Sequence, residues 1–305
     1  MSAHRALAAL QAAASDIKLH HSVFALPFAL LGACLAAVTA EGVPWGAIAT
    51  RLALVVACMV AARTAAMLAN RLLDAAIDAR NARTAARAIP SGRLSMRAAW
   101  VMLGFSLAIF LVATSMFTVL FGNPWPARLA VPVLLWLLAY PYMKRFTWLC
   151  HAWLGASLAM SVPAAALAIR PEAVALPAVW WLAGMVLLWV TGFDVIYALQ
   201  DVESDRREGL HSMPSRLGVG TSLWLSLAMH ALAVGCLLQA WRAEPRMGTW
   251  FPVAIGLVVA LLAVEHATVR RWGTSRMALT FFTLNGCVSI VLGLAGMLGL
   301  AGFGR

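Results

Sequence analysis

Charged residues are scarce in this sequence, and acidic residues are the scarcest of them. Only 11% of the 305 residues are charged, with 12 Asp and Glu against 23 Lys and Arg, whereas 63% are hydrophobic. A soluble globular domain has about 45–50% apolar and about 25% charged residues. Because a chain of this composition cannot hide so much apolar surface from water, we expect lipid to be its solvent.

Cysteine pairs, long alternating strands and a concentrated basic patch are also lacking. The five cysteines lie in apolar segments without a Cys-x-x-Cys pair, which argues against a disulfide framework and against a zinc site. The lack of alternating strands argues against a membrane β-barrel. The net charge of +11 is scattered between apolar runs, so the basic residues indicate membrane topology and no nucleic-acid partner.

Long apolar runs, by contrast, are abundant. A spanning helix needs roughly 20 mostly apolar residues, and nine segments satisfy this requirement. We therefore predict an all-α, polytopic membrane protein with a single domain over residues 1–305. The predicted spans are 22–40, 49–70, 98–120, 127–143, 149–169, 174–197, 217–240, 250–269 and 277–300.

The distribution of Lys and Arg between the loops predicts the orientation of these spans. With the N-terminus in the cytoplasm, the inside segments hold 15 of the 23 basic residues and the outside segments hold 6. The other two, Arg63 and Arg71, lie within the second span. Because cytoplasmic loops carry an excess of basic residues, we expect a multi-pass protein of the cytoplasmic (inner) membrane with its N-terminus inside.

Seven of the 12 acidic residues fall in two short windows near the ends of predicted spans. In the first window, Asn70, Asp74 and Asp78 follow one another at steps of four residues, so they share one face of a helix. Arg63 lies seven residues before Asn70, about two turns away, and shares that face. The first window therefore predicts a polar helix face near the membrane surface.

The second window contains Asp194, Tyr197, Asp201 and Asp205. The spacings of seven and four residues between its aspartates again predict one helix face, with Tyr197 beside it. Four predicted spans separate the two windows, so both are expected on the cytoplasmic side, where the site would open. The DxxxD spacing repeats after 127 residues, as a weak internal duplication. Its two halves are about 18–143 and 144–300.

The chemistry of these residues favours a metal-bound phosphate. Two facing carboxylate clusters repel each other, and Mg²⁺ relieves the repulsion because it prefers oxygen ligands and completes its shell with waters and phosphate oxygens. We therefore expect Mg²⁺ to bridge the carboxylates to a diphosphate, with Arg63, Lys144 and Arg145 neutralising the remaining phosphate charge. Tyr140 shares a face with Lys144 and either lines the cavity or anchors the helix at the interface.

Other interpretations of the same residues stay open. The acids could be ordinary solvated charges at helix ends, although acids near spans are usually functional. Arg83 and Arg87 fit positive-inside charges better than phosphate ligands, and His151, His230 and His266 are expected to be structural or interfacial. A transporter or channel with acidic ion sites would place its acids near the bilayer midplane on broken helices, whereas these acids lie at span ends.

Four motifs together resemble a known family over nearly the whole chain. They are Asn70-x3-Asp74-x3-Asp78, Arg83-Thr84-x2-Arg87-x2-Pro90-x-Gly92, Tyr140-Pro141-x-Met143-Lys144-Arg145 and Asp194-x2-Tyr197-x3-Asp201-x3-Asp205. In this combination they are similar to the motifs of the UbiA superfamily of intramembrane prenyltransferases. The resemblance implies a nine-helix UbiA-like bundle around a central cavity, in which two Mg²⁺ ions bind a prenyl diphosphate.

The resemblance also implies roles for individual residues. The metals or their waters would be held by Asn70, Asp74, Asp78, Asp201 and Asp205. The diphosphate would be contacted by Arg63, Tyr140, Lys144 and Tyr197. In members that prenylate 4-hydroxybenzoate, the residues matching Arg145 and Asp194 are associated with the aromatic acceptor and its activation, which makes these two the predicted catalytic pair.

Two stretches, 18–30 and 192–201, look closer to the 4-hydroxybenzoate polyprenyltransferase-like subgroup. The subgroup implies Mg²⁺-dependent transfer of a polyprenyl group from prenyl diphosphate to a ring carbon of 4-hydroxybenzoate, as in ubiquinone biosynthesis. Some of its members serve the futalosine route to menaquinone instead, where the acceptor is 1,4-dihydroxy-6-naphthoate. The sequence does not choose between these acceptors. Apart from its substrates, the lipid bilayer is the expected partner, and the sequence indicates no obligate protein partner.

Overall fold

Helices dominate the described part of the chain. The computed structural model describes residues 24–38 and 45–303, and these two ranges contain no β-strand. The α-helices are α1 (Leu26–Ala37), α2 (Trp45–Arg80), α3 (Met96–Phe121), α4 (Trp125–Met143), α5 (Cys150–Ala159), α6 (Ser161–Ile169), α7 (Pro177–Ala198), α8 (Val202–Arg207), α9 (Met213–Leu217), α10 (Val219–Ala243), α11 (Trp250–Trp272) and α12 (Asn285–Leu300). Short 3₁₀ turns cover Pro171–Ala175, Leu199–Asp201, Pro245–Met247 and Gly273–Arg276, and a π-helix covers Ala278–Leu284.

The predicted all-α membrane architecture is confirmed. Within the described ranges, eight helical segments are long and apolar enough to cross a membrane, and α1 adds a shorter apolar helix of 12 residues. Helix α1 lies inside the first predicted span, whose ends at 22–23 and 39–40 fall outside the described residues. The resembling stretch from Lys18 to position 23, and the topology charges Arg5 and Arg305, also lie outside them.

Large apolar side chains cover much of the outer surface of the bundle. Trp100 is 55% exposed, Phe105 68%, Val119 71% and Leu135 65%. Apolar surface of this extent is unfavourable in water, whereas it is well solvated by hydrocarbon. The surface is therefore that of an integral, multi-pass membrane protein.

Helix α7 lies between α5 and α10 and carries the fully buried Trp189. Glycines allow these three helices to approach closely. A Cβ atom at Gly155 of α5 would overlap the carbonyl oxygen of Leu187 in α7. On the opposite side of α7, the hydroxyl of Ser226 in α10 donates to the carbonyl oxygen of Gly192 at 2.8 Å. Close backbone packing thus fixes the position of α7, which carries Asp194 and Tyr197.

Helix α2 is longer than the predicted second span of 49–70. It continues without interruption to Arg80, so Asn70, Asp74 and Asp78 lie on one regular helix. The predicted common face of these three residues therefore has the geometry that the four-residue spacing requires. The helix outlasts its apolar run because its polar end packs into the protein, where Asp74 and Asp78 are buried.

The second acidic window does not form one continuous helix face, which differs from the prediction. Helix α7 ends at Ala198, Asp201 lies in a 3₁₀ turn and Asp205 lies in α8. The amide of Gln200 donates to the carbonyl oxygen of Tyr197 at 3.1 Å, where the α-helix ends. A 3₁₀ turn has about 3.0 residues per turn instead of about 3.6, so the spacing of four residues no longer predicts a shared face.

The predicted span 149–169 is formed by two helices, α5 and α6, that meet at Met160. Pro163 has no N–H group to donate to the carbonyl oxygen of Ala159, which interrupts the helical hydrogen bonds at this point. The break separates a first half that faces the polar end of the bundle from a second half that packs against α1.

Candidate active site

A polar cavity of about 460 Å³ lies beside the C-terminal halves of α2 and α7. It brings together residues from both predicted windows, although more than 100 positions separate them in sequence. Ten of the eleven predicted site residues line it: Arg63, Asn70, Asp74, Asp78, Tyr140, Lys144, Asp194, Tyr197, Asp201 and Asp205. The eleventh, Arg145, does not line the cavity but contacts one of these residues.

Asp74 is held by two cations that follow α4. The residue is only 1% exposed, and its Oδ2 atom lies 2.7 Å from Nζ of Lys144. Its Oδ1 atom accepts a hydrogen bond of 2.9 Å from Nη2 of Arg145. Arg145 also donates to the carbonyl oxygens of Pro141 at 2.6 Å and Leu73 at 3.1 Å. This arginine therefore fastens α2 to the end of α4.

Asp78 is paired within the segment that follows α2. Both of its carboxylate oxygens accept from Nη1 of Arg87 at 2.7 Å, and its carbonyl oxygen accepts from the hydroxyl of Thr84 at 3.0 Å. The segment turns back at Gly92, where a φ of 75° requires a residue without a Cβ atom. The first motif and the following basic motif thus form one folded unit at the cavity wall.

Asp201 joins the second motif to this unit. Arg83 forms an ion pair with Asp201, in which Nε donates to Oδ1 at 3.0 Å, and the amide of Asn81 donates to the same oxygen at 3.1 Å. Arg83 also donates from Nη1 to the hydroxyl of Tyr197 at 3.1 Å. Burial lowers the pKa of Arg83, but the hydrogen bond and charge of Asp201 outweigh burial and raise it above its ordinary value. Arg83 is therefore a permanent cation in this site.

A second, more exposed ion pair is formed by two residues that line neither cavity. Nε of Arg80 donates to Oε1 of Glu208 at 2.8 Å, and this hydrogen bond lowers the pKa of Glu208. The pair connects the end of α2 with the turn after α8. Because Arg80 is 57% exposed, the pair contributes mainly to the relative placement of the two segments rather than to stability.

Asp194 has a different kind of partner. Its Oδ2 atom lies 2.7 Å from Nδ1 of His151, at the start of α5. His151 is 4% exposed, and its Nε2 atom lies 3.1 Å from the backbone nitrogen of Met213. Both His151 and Asp194 line the polar cavity. Asp194, one of the two predicted catalytic residues, thus contacts His151, which the sequence analysis expected to be structural or interfacial.

An apolar cavity of about 240 Å³ adjoins the polar one and extends between α2, α4, α5 and α6. Six residues line both cavities: Arg63, Met67, Asn70, Tyr140, Leu154 and Leu158. Further from the polar end, the wall consists of apolar side chains such as Val55, Phe117 and Ala130. The arrangement suits a ligand with a charged head and a long hydrocarbon tail.

The oxygen donors of the polar cavity fit Mg²⁺. In residues 24–38 and 45–303, no three His, Cys, Asp or Glu side chains are gathered closely enough to hold a metal ion alone. Mg²⁺ usually binds through one or two carboxylates and takes its other ligands from water and phosphate. Two separate aspartate pairs and the amide of Asn70 match this type of donor set.

Comparison with known proteins decides the family. Residues 25–303 match the sequence model of the UbiA prenyltransferase family. The chain belongs to this family. The resemblance inferred from the four motifs is therefore confirmed.

Two similar proteins are named 4-hydroxybenzoate octaprenyltransferase. The one from Pseudomonas putida (strain W619) is 32% identical over 195 residues, which cover 64% of this chain and 62% of the relative. The one from Pseudomonas fluorescens (strain Pf0-1) is 33% identical over 184 residues, which cover 60% and 58%. The match thus spans less than two thirds of the length of these relatives.

Solved structures of UbiA homologues share the fold. The apo structure of a homologue from Aeropyrum pernix K1 superimposes with a TM-score of 0.79 at 32% identity, covering 91% of this chain and 97% of the other. A homologue from Archaeoglobus fulgidus bound to DMAPP and Mg²⁺ gives a TM-score of 0.67 at 16% identity, covering 95% and 99%. The UbiA fold of this chain therefore agrees with the prediction.

Three cavity residues were not predicted as members of the site. Arg83 and Arg87 had been interpreted as positive-inside charges, and His151 as a structural or interfacial residue, yet all three line the polar cavity. Arg83 and Arg87 could have been predicted as site residues, because they belong to the motif that directly follows the first acidic window. No spacing in the sequence relates His151 to Asp194, because the two residues meet only through the packing of α5 on α7.

Proposed function

We propose that this protein transfers a polyprenyl group from a prenyl diphosphate to a ring carbon of 4-hydroxybenzoate, in a Mg²⁺-dependent reaction. The observation that carries the proposal is the joined cavity, in which a polar half lined by both aspartate motifs continues into an apolar half past Arg63, Asn70 and Tyr140. A charged leaving group and an apolar tail need these two environments side by side. The similar octaprenyltransferases support this reaction, and the homologue of the same fold bound to DMAPP and Mg²⁺ supports the ligand class.

The charge balance of the polar cavity supports a requirement for divalent cations. Its lining includes the carboxylates of Asp74, Asp78, Asp194, Asp201 and Asp205. It also includes the cationic side chains of Arg63, Arg71, Arg83, Arg87 and Lys144. These charges offset one another, so a bound diphosphate would leave an uncompensated negative charge in a half-buried site. Added cations remove this cost.

We propose two Mg²⁺ ions, one at each aspartate motif. The first would be held by Asn70, Asp74 and Asp78, and the second by Asp201 and Asp205. When bound, Mg²⁺ supplies positive charge that stabilises the leaving diphosphate.

The cations that now contact these carboxylates are well placed to bind the diphosphate instead. On substrate binding, phosphate oxygens would replace the carboxylate partners of Lys144, Arg83 and Arg87. The two arginines can bind phosphate through two parallel hydrogen bonds, whereas the lysine ammonium acts as a point charge. Arg63, Tyr140 and Tyr197 would complete the diphosphate contacts. The exchange keeps every buried charge paired before and after substrate binding.

The proposed chemistry is an electrophilic substitution on the ring. The bond between C1 of the prenyl group and the diphosphate oxygen breaks with its electron pair remaining on the diphosphate. The ring carbon ortho to the hydroxyl forms the new C–C bond, and loss of the ring proton restores aromaticity. The apolar wall around the tail excludes water, which would otherwise capture the allylic cation.

Two residues are proposed to serve the aromatic acceptor. Asp194 would accept a hydrogen bond from the acceptor hydroxyl and take up a proton, since it lines the cavity beside Tyr140. Arg145 keeps its proposed role at the acceptor carboxylate, for which it would have to release Asp74, since it does not line the polar cavity and its two Nη atoms contact Asp74 and backbone carbonyl oxygens. Its Nη contacts make it a rigid support for α2 at the same time.

We further propose that the polar cavity opens to the cytoplasm and that the protein resides in the cytoplasmic membrane. Arg83 and Arg87 line the cavity, and Arg80 and Arg93 flank them in the sequence, which agrees with an excess of basic residues inside. A cysteine introduced at Arg93 should react with a membrane-impermeant maleimide only after the cells are lysed. Labelling of intact spheroplasts would contradict this orientation.

Product formation by the purified full chain tests the reaction. The protein in lipid nanodiscs is incubated with Mg²⁺, a long prenyl diphosphate and either 4-hydroxybenzoate or 1,4-dihydroxy-6-naphthoate. We expect prenylated hydroxybenzoate, and we expect EDTA to abolish its formation. A product from the naphthoate alone would assign the same chemistry to the menaquinone route.

A binding measurement separates the enzyme from a transporter or channel with acidic ion sites. A non-hydrolysable prenyl diphosphate analogue should raise the melting temperature in detergent only when Mg²⁺ is present. Asp74→Asn and Asp201→Asn should abolish this shift, whereas Glu172→Gln should not, because Glu172 is 74% exposed and lines neither cavity. Equal shifts in all four proteins would contradict the proposed site.

A further inference from the structure

His151 makes two hydrogen bonds that together define its protonation. The backbone nitrogen of Met213 can only donate, so Nε2 of His151, at 3.1 Å, must be the acceptor and carries no proton. The remaining ring nitrogen, Nδ1, therefore carries the hydrogen and donates to Oδ2 of Asp194 at 2.7 Å. The imidazole is thus a neutral donor with a fixed tautomer.

The orientation of this imidazole is determined by packing. His151 lies in the first turn of α5, and Gly155 one turn later brings α5 into close contact with Leu187 and Thr191 of α7. Asp194 is three residues beyond Thr191 on the same helix. On the other side, Met213 is the first residue of α9, where its N–H group has no acceptor within its own helix.

Asp194 uses only one of its two carboxylate oxygens, Oδ2, for the contact with His151. His151 is buried, the side chain of Asp194 is 13% exposed, and both residues line the polar cavity. One carboxylate oxygen of Asp194 is occupied by the imidazole, which leaves Oδ1 for the substrate. A general base has to be held within hydrogen-bond reach of its proton, and a shift of about 1 Å can lower a rate on the order of 100-fold.

We propose that His151 is a positioning residue that acts through Asp194, holding its carboxylate so that one oxygen meets the hydroxyl group of the aromatic acceptor. This inference rests on the proposed prenyl transfer. His151 itself neither contacts the diphosphate nor takes up a proton, since Nδ1 already carries one and Nε2 is occupied by Met213. Substitution of His151 should therefore lower kcat, and it should have no further effect on kcat once Asp194 is substituted.

Two substitutions separate the two hydrogen bonds of the ring. In His151→Asn, the amide nitrogen occupies the place of Nδ1 and can still donate to Asp194. In His151→Gln, the longer side chain places its amide oxygen near Nε2, so the contact with Met213 is kept and the donor to Asp194 is lost. The two variants are thus matched in polarity and differ in which partner they retain.

The test is steady-state prenylation by the full chain in nanodiscs, using Mg²⁺ and the acceptor on which the wild-type protein turns over. We expect His151→Gln to lower kcat on the order of 10- to 100-fold, with the KM for prenyl diphosphate within about twofold of wild type. His151→Asn should recover most of this loss. Only protein that retains Mg²⁺-dependent binding of the diphosphate analogue is compared, which excludes unfolded material.

A double-mutant cycle distinguishes positioning from a general effect on the fold. In an Asp194→Asn background, His151→Gln should cause no further loss of kcat. Equal kcat values for the Gln and Asn variants, or a His151→Gln effect that persists without Asp194, would overturn the inference while leaving prenyl transfer intact. Failure of the wild-type protein to prenylate either acceptor would instead overturn the proposed function, and this inference with it.

Discussion

Arg83 and Asp201, which are 118 residues apart in sequence, form an ion pair across the polar cavity, with Nε donating to Oδ1 at 3.0 Å. The pair connects the segment after the first aspartate motif to the second motif. Asn81 donates to the same carboxylate, so two neighbouring residues of one segment contact one aspartate. The two aspartate motifs are therefore linked through the basic motif rather than through each other.

This link predicts a substrate-binding role for Arg83. Removal of its charge by Arg83→Gln should lower kcat/KM for prenyl diphosphate by roughly tenfold or more, because a charge-assisted contact to phosphate is lost. The KM for the aromatic acceptor should change little. Initial rates at varied concentrations of each substrate measure the two parameters separately.

A matched control is available at Arg246. This arginine pairs with Glu244 at 2.7 Å in the turn between α10 and α11, and neither residue lines the two cavities. Arg246→Gln should leave both kinetic parameters within about twofold of wild type. An equal loss in the two variants would mean that the effect of Arg83 is not specific to the site.

The contacts of Arg83 also show what the sequence could and could not predict. The four-residue spacing of Asn70, Asp74 and Asp78 predicted their common face because α2 is regular over the whole window. The same argument failed for Asp201, since a 3₁₀ turn changes the helical period there. Ion pairs between distant segments depend on helix packing, which no local pattern contains.

Membrane spans were predicted best where apolar residues are continuous, and least well where a helix enters the site. Helix α2 extends ten residues beyond its predicted end because its polar side chains are paired inside the protein. The break at Met160 could have been expected from Pro163, whereas no sequence pattern predicted the π-helix Ala278–Leu284, after which Asn285 contacts Glu265 and Trp189 on other helices. Boundaries thus depend on partners that only the folded structure supplies.

The contact of α5 with α7 predicts a large effect of a small substitution. In Gly155→Ala, the added Cβ atom meets the backbone carbonyl of Leu187, which cannot move without displacing α7. We expect a loss of about 1–3 kcal/mol in the free energy of unfolding, measured by SDS titration in mixed micelles. Gly104→Ala in α3 is the control, since nothing lies within 4 Å of its added Cβ atom. A loss of equal size there would refute the packing argument.

A buried polar network inside the helical bundle predicts a second stability effect. The amide of Asn285 donates to Oε1 of Glu265 at 2.7 Å, and its oxygen accepts from Nε1 of Trp189 at 2.7 Å. All three side chains are fully buried. Asn285→Leu leaves both partners without this contact in a low-dielectric environment, which should cost about 2–3 kcal/mol.

The same SDS titration measures this loss, and Cys287→Leu serves as its control. Cys287 lies two residues further along α12 and is exposed on the surface of the bundle. A larger apolar side chain is well accommodated there by lipid, so its effect should stay within about 0.5 kcal/mol. If Asn285→Leu were as mild, the network would not contribute to stability.

We predict that the volume of the apolar cavity limits the length of the prenyl tail that the protein can bind. Ala130 is 3% exposed and lines the cavity of about 240 Å³, whereas the neighbouring Val131 is 55% exposed on the outer surface of α4. Ala130→Trp should lower the ratio of kcat/KM for a long prenyl diphosphate to that for geranyl diphosphate by roughly tenfold or more, because the indole occupies space that only the long tail needs. Val131→Trp places the same group in lipid and should leave the ratio within about twofold. If Ala130→Trp lowered both rates equally, the tail would have to leave the polar cavity by another route, between helices and into the bilayer.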